Sequence, residues 1–205
     1  LEEVDATALE HIDRRWFAPV FRVDGLIMAS SRLELDALER KTGVAIHSLD
    51  DWLKAIDVAL ERAVAAKVVG LKVGLAYLRP LHFERTTKAD AEWAFNRLEP
   101  TYPLNGPEAL AVSRSDVKLL QDYLMHQVIQ RALEYRLPIQ IHTGLQEGNG
   151  NYLVNANPLH LVNLLMEYRE ARFDLFHAGY PFQSEAATLG KNFPNAYLDL
   201  CWVHV

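Results

Sequence analysis

The sequence predicts an α/β fold of the (β/α)8 TIM-barrel type that is incomplete within this chain. Long amphipathic helices alternate with short apolar strands, and strands separated by helices are typical of parallel βαβ units. Five such strands fit into the 205 residues, whereas a complete barrel has eight strands and about 250 residues. A nucleotide-binding doubly wound sheet has no support, because neither a GxGxxG nor a GxxxxGKS/T motif occurs.

The predicted strands are short apolar runs at 19–26, 68–77, 138–144, 173–179 and 196–202. Polar residues alternate with apolar ones in most of them, which places the two kinds on opposite faces. We expect the apolar faces to pack on helices and the polar faces to point into the barrel.

Capping residues mark the predicted helix starts. Ser48, followed by two aspartates, suits the beginning of one helix. Ser113 with Asp116 resembles a capping box, and Asn157 with Pro158 predicts a third start. A shorter helix is expected at about 183–192. The buried face of the first helix is predicted to consist of Leu53, Ile56, Leu60 and Val64.

The least regular segment is 78–112, which we treat as an irregular insertion in a single domain spanning 1–205. It contains a predicted helix at 88–98 and the proline-rich stretch EPTYPLNGP, interpreted as a long loop. The chain begins without Met and stops inside the apolar run LDLCWVHV. We therefore expect a piece of a longer protein, with missing strands and open sheet edges.

Composition excludes several classes of function. Lys and Arg total 21 against 27 Asp and Glu, a net charge of −6, which argues against nucleic-acid binding. No apolar stretch reaches the length of a membrane span, and no signal peptide is visible. The single cysteine excludes a disulfide framework and favours a cytoplasmic location. We expect a small-molecule substrate, and a homo-oligomer remains open.

Polar residues concentrate toward the carboxyl ends of the predicted strands, where barrel enzymes keep their active sites. Imidazole and carboxylate groups there suit metal binding or proton transfer. The residues predicted to face the interior are Arg22, Asp24, Lys72, Gln140, His142, His177 and Asp199.

His142 and His177 stand out because each lies at a strand end and is followed by glycine, in HTG (142–144) and HAG (177–179). We expect these glycines to let the backbone approach a ligand closely. A single histidine at such a place is more often a hydrogen-bonded packing residue, but two with the same pattern favour a shared site.

The other interior residues have structural alternatives. Lys72 could reach solvent at the barrel rim, and Asp199 could bond neighbouring backbone amides. For Arg22 and Asp24 we favour an internal ion pair.

Substrate contacts are expected from the interior and from the loops that follow the strands. Gln140 shares the face of His142, and Glu147 lies in the loop QEGNGN that follows it. Arg79 and His82 lie in the segment after the Lys72 strand. Such loops form the substrate mouth in a barrel.

Four segments, LPIQIHTG, NPLHLVNLL, FDLFHAGYPF and NAYLDLCW, together resemble the amidohydrolase-related family of metal-dependent barrel enzymes. The resemblance is strongest over 137–202 and points to the branch that is uronate-isomerase-like or fused to glutamine synthetase. It implies that this chain holds about strands 3–7 of the barrel.

The resemblance also implies one divalent metal, most often zinc. It places His142 on the fifth strand as a metal ligand and His177 on the sixth, binding metal or transferring protons. Lys72 falls on the fourth strand, where some members carry a carbamylated lysine. Asp199 falls on the seventh, whereas the metal-binding aspartate of the family belongs to the eighth. The family's first-strand His-x-His pair would precede Leu1.

The leading expectation is a metal-dependent hydrolase of amide or ester bonds, with His177, Lys72 and Asp199 as catalytic residues. One alternative on the same fold is a non-oxidative decarboxylase or an isomerase of a uronate-type acid. Another is a non-catalytic barrel domain in a larger assembly, since the fold alone does not fix the chemistry.

Overall fold

The computed structural model describes residues 12–98 and 114–203. These residues divide into two compact units. The sheet unit comprises 12–24, 66–83 and 132–203, and the helical unit comprises 25–65, 84–98 and 114–131. The assignment of 1–205 to a single domain stays a prediction.

The sheet unit contains five parallel strands whose order in space equals their order in the chain. This order confirms the predicted series of parallel βα units. Among the described residues β1 and β5 each pair along one side only, so the predicted open edges are present. The strands are β1 (Val20–Arg22), β2 (Gly70–Val73), β3 (Ile139–Ile141), β4 (Phe173–Leu175) and β5 (Ala196–Leu198).

Each strand is shorter than predicted, because the chain leaves the extended conformation before the end of the predicted segment. The predicted strand at 68–77 ends at Val73 and continues as a 3₁₀ turn, Leu75–Tyr77; the one at 173–179 continues as a 3₁₀ turn, Phe176–Gly179. His177 and Ala178 have φ of 62° and 44°, left-handed values that a strand does not contain.

Cross-strand register produces one polar row along the sheet. Arg22, Lys72, Gln140, Asp174 and Tyr197 are successive partners across the five strands and therefore share a face. In β2, β3 and β4 the residues between them are buried, which confirms the predicted alternation for β2 and β3, whereas Phe21 of β1 is half-buried and Leu198 of β5 is 37% exposed. Those with at most 1% exposure are Leu71, Val73, Ile139, Ile141, Phe173 and Leu175.

Two helices in the sheet unit link the last strands. Asn157 accepts the amide of Leu159 and Pro158 follows it, which confirms the predicted start. The segment that follows is a 3₁₀ turn, Pro158–Leu161, and then α6 (Val162–Glu167); the predicted helix at 183–192 is α7 (Gln183–Asn192).

The helical unit contains α1 (Asp24–Ile27, whose first residue belongs to the sheet unit), α2 (Arg32–Thr42), α3 (Leu49–Ala65), α4 (Lys88–Leu98) and most of α5 (Arg114–Glu134). Helix α4 matches the predicted 88–98. Ser113 and the proline-rich loop lie outside the described residues. No helix in the described ranges is long and apolar enough to cross a membrane.

The start of α3 and its buried face follow from side-chain chemistry. Ser48 accepts the amide of Asp51 at 3.1 Å, as expected of a cap. The buried face is centred on Trp52, whose indole donates to the Leu26 carbonyl at 2.9 Å. Of the predicted face, Ile56 and Leu60 are buried, whereas Leu53 and Val64 are partly exposed and the residues before them, Trp52 and Ala63, are buried instead. The buried residues are Leu49, Trp52, Ala55, Ile56, Leu60 and Ala63.

Candidate functional site

Two imidazoles meet at the carboxyl end of the sheet. His142 follows β3, His177 follows β4, and these strands are parallel neighbours. Their ring centroids are 4.7 Å apart with the planes at 71°, and the two residues are 6% and 3% exposed. The structure thus brings the two predicted histidines into one site.

His142 is held by backbone on both sides. Its amide donates to the Val73 carbonyl at 2.8 Å, and its Nε2–H donates to the Leu145 carbonyl at 2.6 Å. Because Nε2 carries the proton, Nδ1 keeps its lone pair. Burial lowers the pKa of His142 to about 4, with Lys72 and His177 acting in the same direction. The ring is therefore neutral at pH 7.

His177 is held in the complementary way. Its Nδ1–H donates to the Cys201 carbonyl at 2.7 Å, so Nε2 has the lone pair. Nε2 is buried and has no hydrogen-bond partner. The Trp202 indole stacks on the imidazole, with centroids 5.4 Å apart and the planes at 18°.

Gly144 of HTG allows a close approach of backbone to backbone, and the expected approach of these glycines to a ligand stays a prediction. Gly144 has φ of +63°, and a Cβ there would lie 2.2 Å from the Tyr180 carbonyl oxygen and 2.3 Å from the carbonyl carbon of Gly179. Thr143 adds a hydrogen bond from its hydroxyl to the Phe176 carbonyl at 2.6 Å. The two segments thus pack backbone against backbone, which brings their histidines together.

Lys72 lies beneath the ring of Phe176, with Nζ 3.1 Å from the ring centroid. Nζ is buried and has no hydrogen-bond partner, so the alternative that it reaches solvent at the rim is wrong. Burial lowers the pKa of Lys72 to about 8, against the opposing effect of Asp174 and Asp199. Its predicted catalytic role stays a prediction.

Asp174 is a site residue that sequence reasoning missed. It is the register partner of Gln140, whose side chain hydrogen-bonds to it, and its pKa is raised by burial and by the charge of Asp199. The signal was present in the alternation of Phe173, Asp174 and Leu175, but the nearby turn at His177 obscured it.

Arg22 and Asp24 form the expected internal ion pair, with Nε and Oδ2 2.8 Å apart. The other oxygen of Asp24 accepts the amide of Gly74 at 2.8 Å. A Cβ on Gly74 would lie 2.6 Å from an Arg22 terminal nitrogen. The pair therefore braces β1 against the end of β2.

Asp199 bonds to backbone, as its structural alternative supposed. Its Oδ1 accepts the amide of Cys201 at 2.6 Å, and its carbonyl accepts the amide of Ala178 at 2.7 Å. Its catalytic role stays a prediction.

Of the four predicted substrate contacts, Gln140 and Glu147 are tied to the residues already described, and Arg79 and His82 bond to each other in the segment after β2. Gln140 joins the polar row beside Lys72. Exposed Glu147 donates its amide to the Tyr77 hydroxyl at 3.0 Å, and the Tyr77 ring lies 4.7 Å from His142. Arg79 donates to the His82 carbonyl at 3.0 Å. These roles stay predictions.

The donor chemistry of the two histidines fits metal binding. Metal-binding histidines commonly donate their second N–H to a backbone carbonyl or carboxylate, and both rings here do so. Two nitrogens supply part of a tetrahedral shell. Within 12–98 and 114–203, no group of three or more His, Cys, Asp or Glu is placed to hold one ion.

A parallel α/β sheet wound in one direction, with paired histidines at its carboxyl end, is typical of part of a TIM-type barrel with a site at that end. The profile of the Amidohydrolase family matches residues 29–205. The chain belongs to this family. It is also 33% identical over 138 residues to Protein fluG of Emericella nidulans, a match that covers 65% of this chain and 16% of that protein.

Solved structures share the fold. A proposed metal-dependent hydrolase from Lactobacillus casei gives a TM-score of 0.65 at 24% identity, covering 88% of this chain and 43% of that one. Uronate isomerase from Thermotoga maritima gives 0.68 at 15% identity, covering 96% and 46%. Glucuronate isomerase from Caulobacter crescentus gives 0.65 at 18%, covering 94% and 42%. The chain thus spans less than half the length of each.

Proposed function

We propose that this chain carries two ligands of a metal-dependent hydrolase that cleaves an amide or ester bond, C–N or C–O, of a small molecule. The observation that carries the proposal is the buried, unpartnered Nε2 of His177 beside the neutral ring of His142. One divalent metal, zinc in the first instance, would be held by these two side chains together with ligands from elsewhere.

The residues of the site have separate roles in this proposal. A bound metal supplies Lewis acidity for the attack on a carbonyl group. His142 and His177 would hold it, each fixed in orientation by a backbone carbonyl. Gln140 contacts the polar groups of the substrate, and its neighbour Lys72 in the polar row adds a buried positive charge to the site. The Phe176 ring covers Nζ of Lys72 and excludes water from it.

A second candidate is an isomerase of a uronate-type acid, or a non-oxidative decarboxylase. The observation that favours it is the buried ammonium of Lys72 without a hydrogen-bond acceptor, because a substrate carboxylate would supply one. A non-catalytic barrel is the third possibility. The proposal further includes a cytoplasmic location, supported by the single cysteine; the homo-oligomer stays a prediction.

Metal analysis of the full-length protein tests the proposal. We expect about one zinc per chain, falling at least severalfold in His142→Ala and in His177→Ala. His47→Ala, which removes an exposed histidine of the helical unit, is the matched control and should retain the metal. Equal metal content in all variants would overturn the assignment of the ligands.

A substrate panel then separates the reactions. Amides and esters are compared with uronates and aromatic carboxylic acids, with and without chelator. Turnover of amides or esters that chelator abolishes supports the hydrolase, and turnover confined to the acids supports the second candidate. Metal binding with no turnover in the panel would favour the non-catalytic domain.

A further inference from the structure

The turn after β5, residues 199–202, is bound to the segment that carries His177. The amide of Asp199 donates to the Leu175 carbonyl at 3.0 Å, and the amide of Ala178 donates to the Asp199 carbonyl at 2.7 Å. These two bonds lie on either side of His177 in the sequence, so they hold the turn against the segment that carries the imidazole.

Inside the turn, the Asp199 side chain fixes the backbone at Cys201. The Asp199 carboxylate accepts the Cys201 amide at 2.6 Å, and the Cys201 carbonyl accepts the Nδ1–H of His177 at 2.7 Å. Trp202, with φ of 65°, stacks on the same imidazole. Left-handed backbone at a residue other than glycine persists only where its surroundings hold it. The carboxylate bond to Cys201 is one of the contacts that do so, beside the Trp202 stacking and the bond from the Val203 amide to the Leu200 carbonyl at 3.1 Å.

We propose that Asp199 is a positioning residue that, through the backbone at Cys201, fixes His177 in the tautomer protonated at Nδ1. Which ring nitrogen carries the proton is set by the bond that the other nitrogen makes. The carbonyl at Cys201 can only accept, so it selects Nδ1–H and leaves the Nε2 lone pair for a ligand. Asp199 then acts without touching metal or substrate.

The inference deepens the proposed function, on which it rests only for the identity of the ligand at Nε2. The tautomer itself is a property of the metal-free chain. The two ideas can therefore fail separately.

The first test reads the tautomer. Full-length protein labelled with ¹⁵N-histidine is treated with chelator, and His177→Gln assigns the ring signals of His177. We expect a protonated Nδ1 and an unprotonated Nε2 in the wild type and in Asp199→Asn, whose amide oxygen still accepts the Cys201 amide. Asp199→Ala should give a mixture of tautomers.

The second test reads metal affinity by competition with a chelator. Asp199→Ala should lower the affinity about tenfold or more, and Asp199→Asn should stay within about threefold of wild type, because Asn keeps the acceptor but not the charge. Asp51→Ala is the matched control: Asp51 accepts the His47 amide at 3.2 Å, in the helical unit, and its loss should leave the affinity unchanged.

Two results would overturn the inference. An unchanged tautomer and affinity in Asp199→Ala would show that the turn does not need the carboxylate. A tenfold loss in Asp199→Asn would show that the charge acts directly, as a ligand or a proton carrier; this outcome decides the matter even if Asp199→Ala fails to fold. If the full-length protein binds no metal, the proposed function is contradicted, but the tautomer test stays valid.

Discussion

Gly144 shows how strongly one residue determines the site. Its φ of +63° and the 2.2 Å approach of a Cβ to the Tyr180 carbonyl leave no room for a side chain. Gly144→Ala should lower the free energy of unfolding by about 3 kcal/mol or more, because backbone strain and collision add. Chemical denaturation measures the change.

The matched control is Gly148→Ala. Gly148 also has a left-handed φ, +86°, but a Cβ there would meet nothing within 4 Å. We expect a cost of about 1 kcal/mol from backbone strain alone. Equal losses in the two variants would show that the close packing of HTG on HAG contributes nothing to stability.

The pKa of His142 makes stability depend on pH. It is lowered from 6.5 to about 4, chiefly by burial. Between these two pH values the unfolded chain therefore binds a proton at His142 and the folded chain does not. In chelator-treated protein, stability should be full above about pH 6.5 and fall as the pH drops toward 4, by on the order of 2 kcal/mol. His142→Gln should flatten this part of the profile measured by denaturation, and an unchanged slope would contradict the prediction.

Single residues also show where sequence reasoning succeeds. His142 and His177 could be paired from the sequence because both follow a strand directly, and parallel strands bring such ends together. The bond from the Cys201 amide to Asp199 was likewise among the alternatives, but the contact of Trp202 with His177 could not be predicted, because it depends on left-handed backbone at both residues. No local sequence signal encodes that conformation.

At the scale of elements, helix caps can be predicted from sequence, because a cap depends on residues that are close together in the chain. The Ser48 hydroxyl accepts the Asp51 amide at the start of α3. Ser48→Ala should therefore lower the free energy of unfolding of the helical unit by about 1 kcal/mol, seen as an earlier denaturation transition. Ser48→Asp keeps an acceptor and should stay near wild type; a similar loss in both would place the effect elsewhere than in the cap.

Strand lengths were not predictable in the same way. Alternation gave the approximate positions of the five strands and the faces of β2 and β3, since it reflects one buried and one polar side, but it missed the inward-facing Asp174 on β4. It did not give their ends: Leu75 and Phe176 continue the apolar pattern but already lie in 3₁₀ turns. The turns are imposed by tertiary contacts, such as the bond from Thr143 to the Phe176 carbonyl, which composition does not reveal.

At the scale of the whole chain, the sheet unit presents apolar surface beside its open edges. Trp16 and Phe17, just before β1, are 79% and 65% exposed, and Leu200, just after β5, is 64% exposed. Strands with an unpaired edge are templates for association with other chains. Large apolar side chains beside such edges strengthen that tendency.

Residues 1–205 expressed alone should therefore self-associate and bind a hydrophobic dye such as ANS more strongly, per mole, than the full-length protein does. Leu200→Lys places a charge beside the β5 edge, and charged residues at edges oppose pairing between sheets, so it should reduce the associated fraction in size-exclusion chromatography with light scattering. Lys54→Ala, at an exposed position of α3, is the control for a change of charge in the helical unit and should leave association unaltered. A monomeric isolated chain that binds no dye would show that the two edges are protected by contacts within the chain itself.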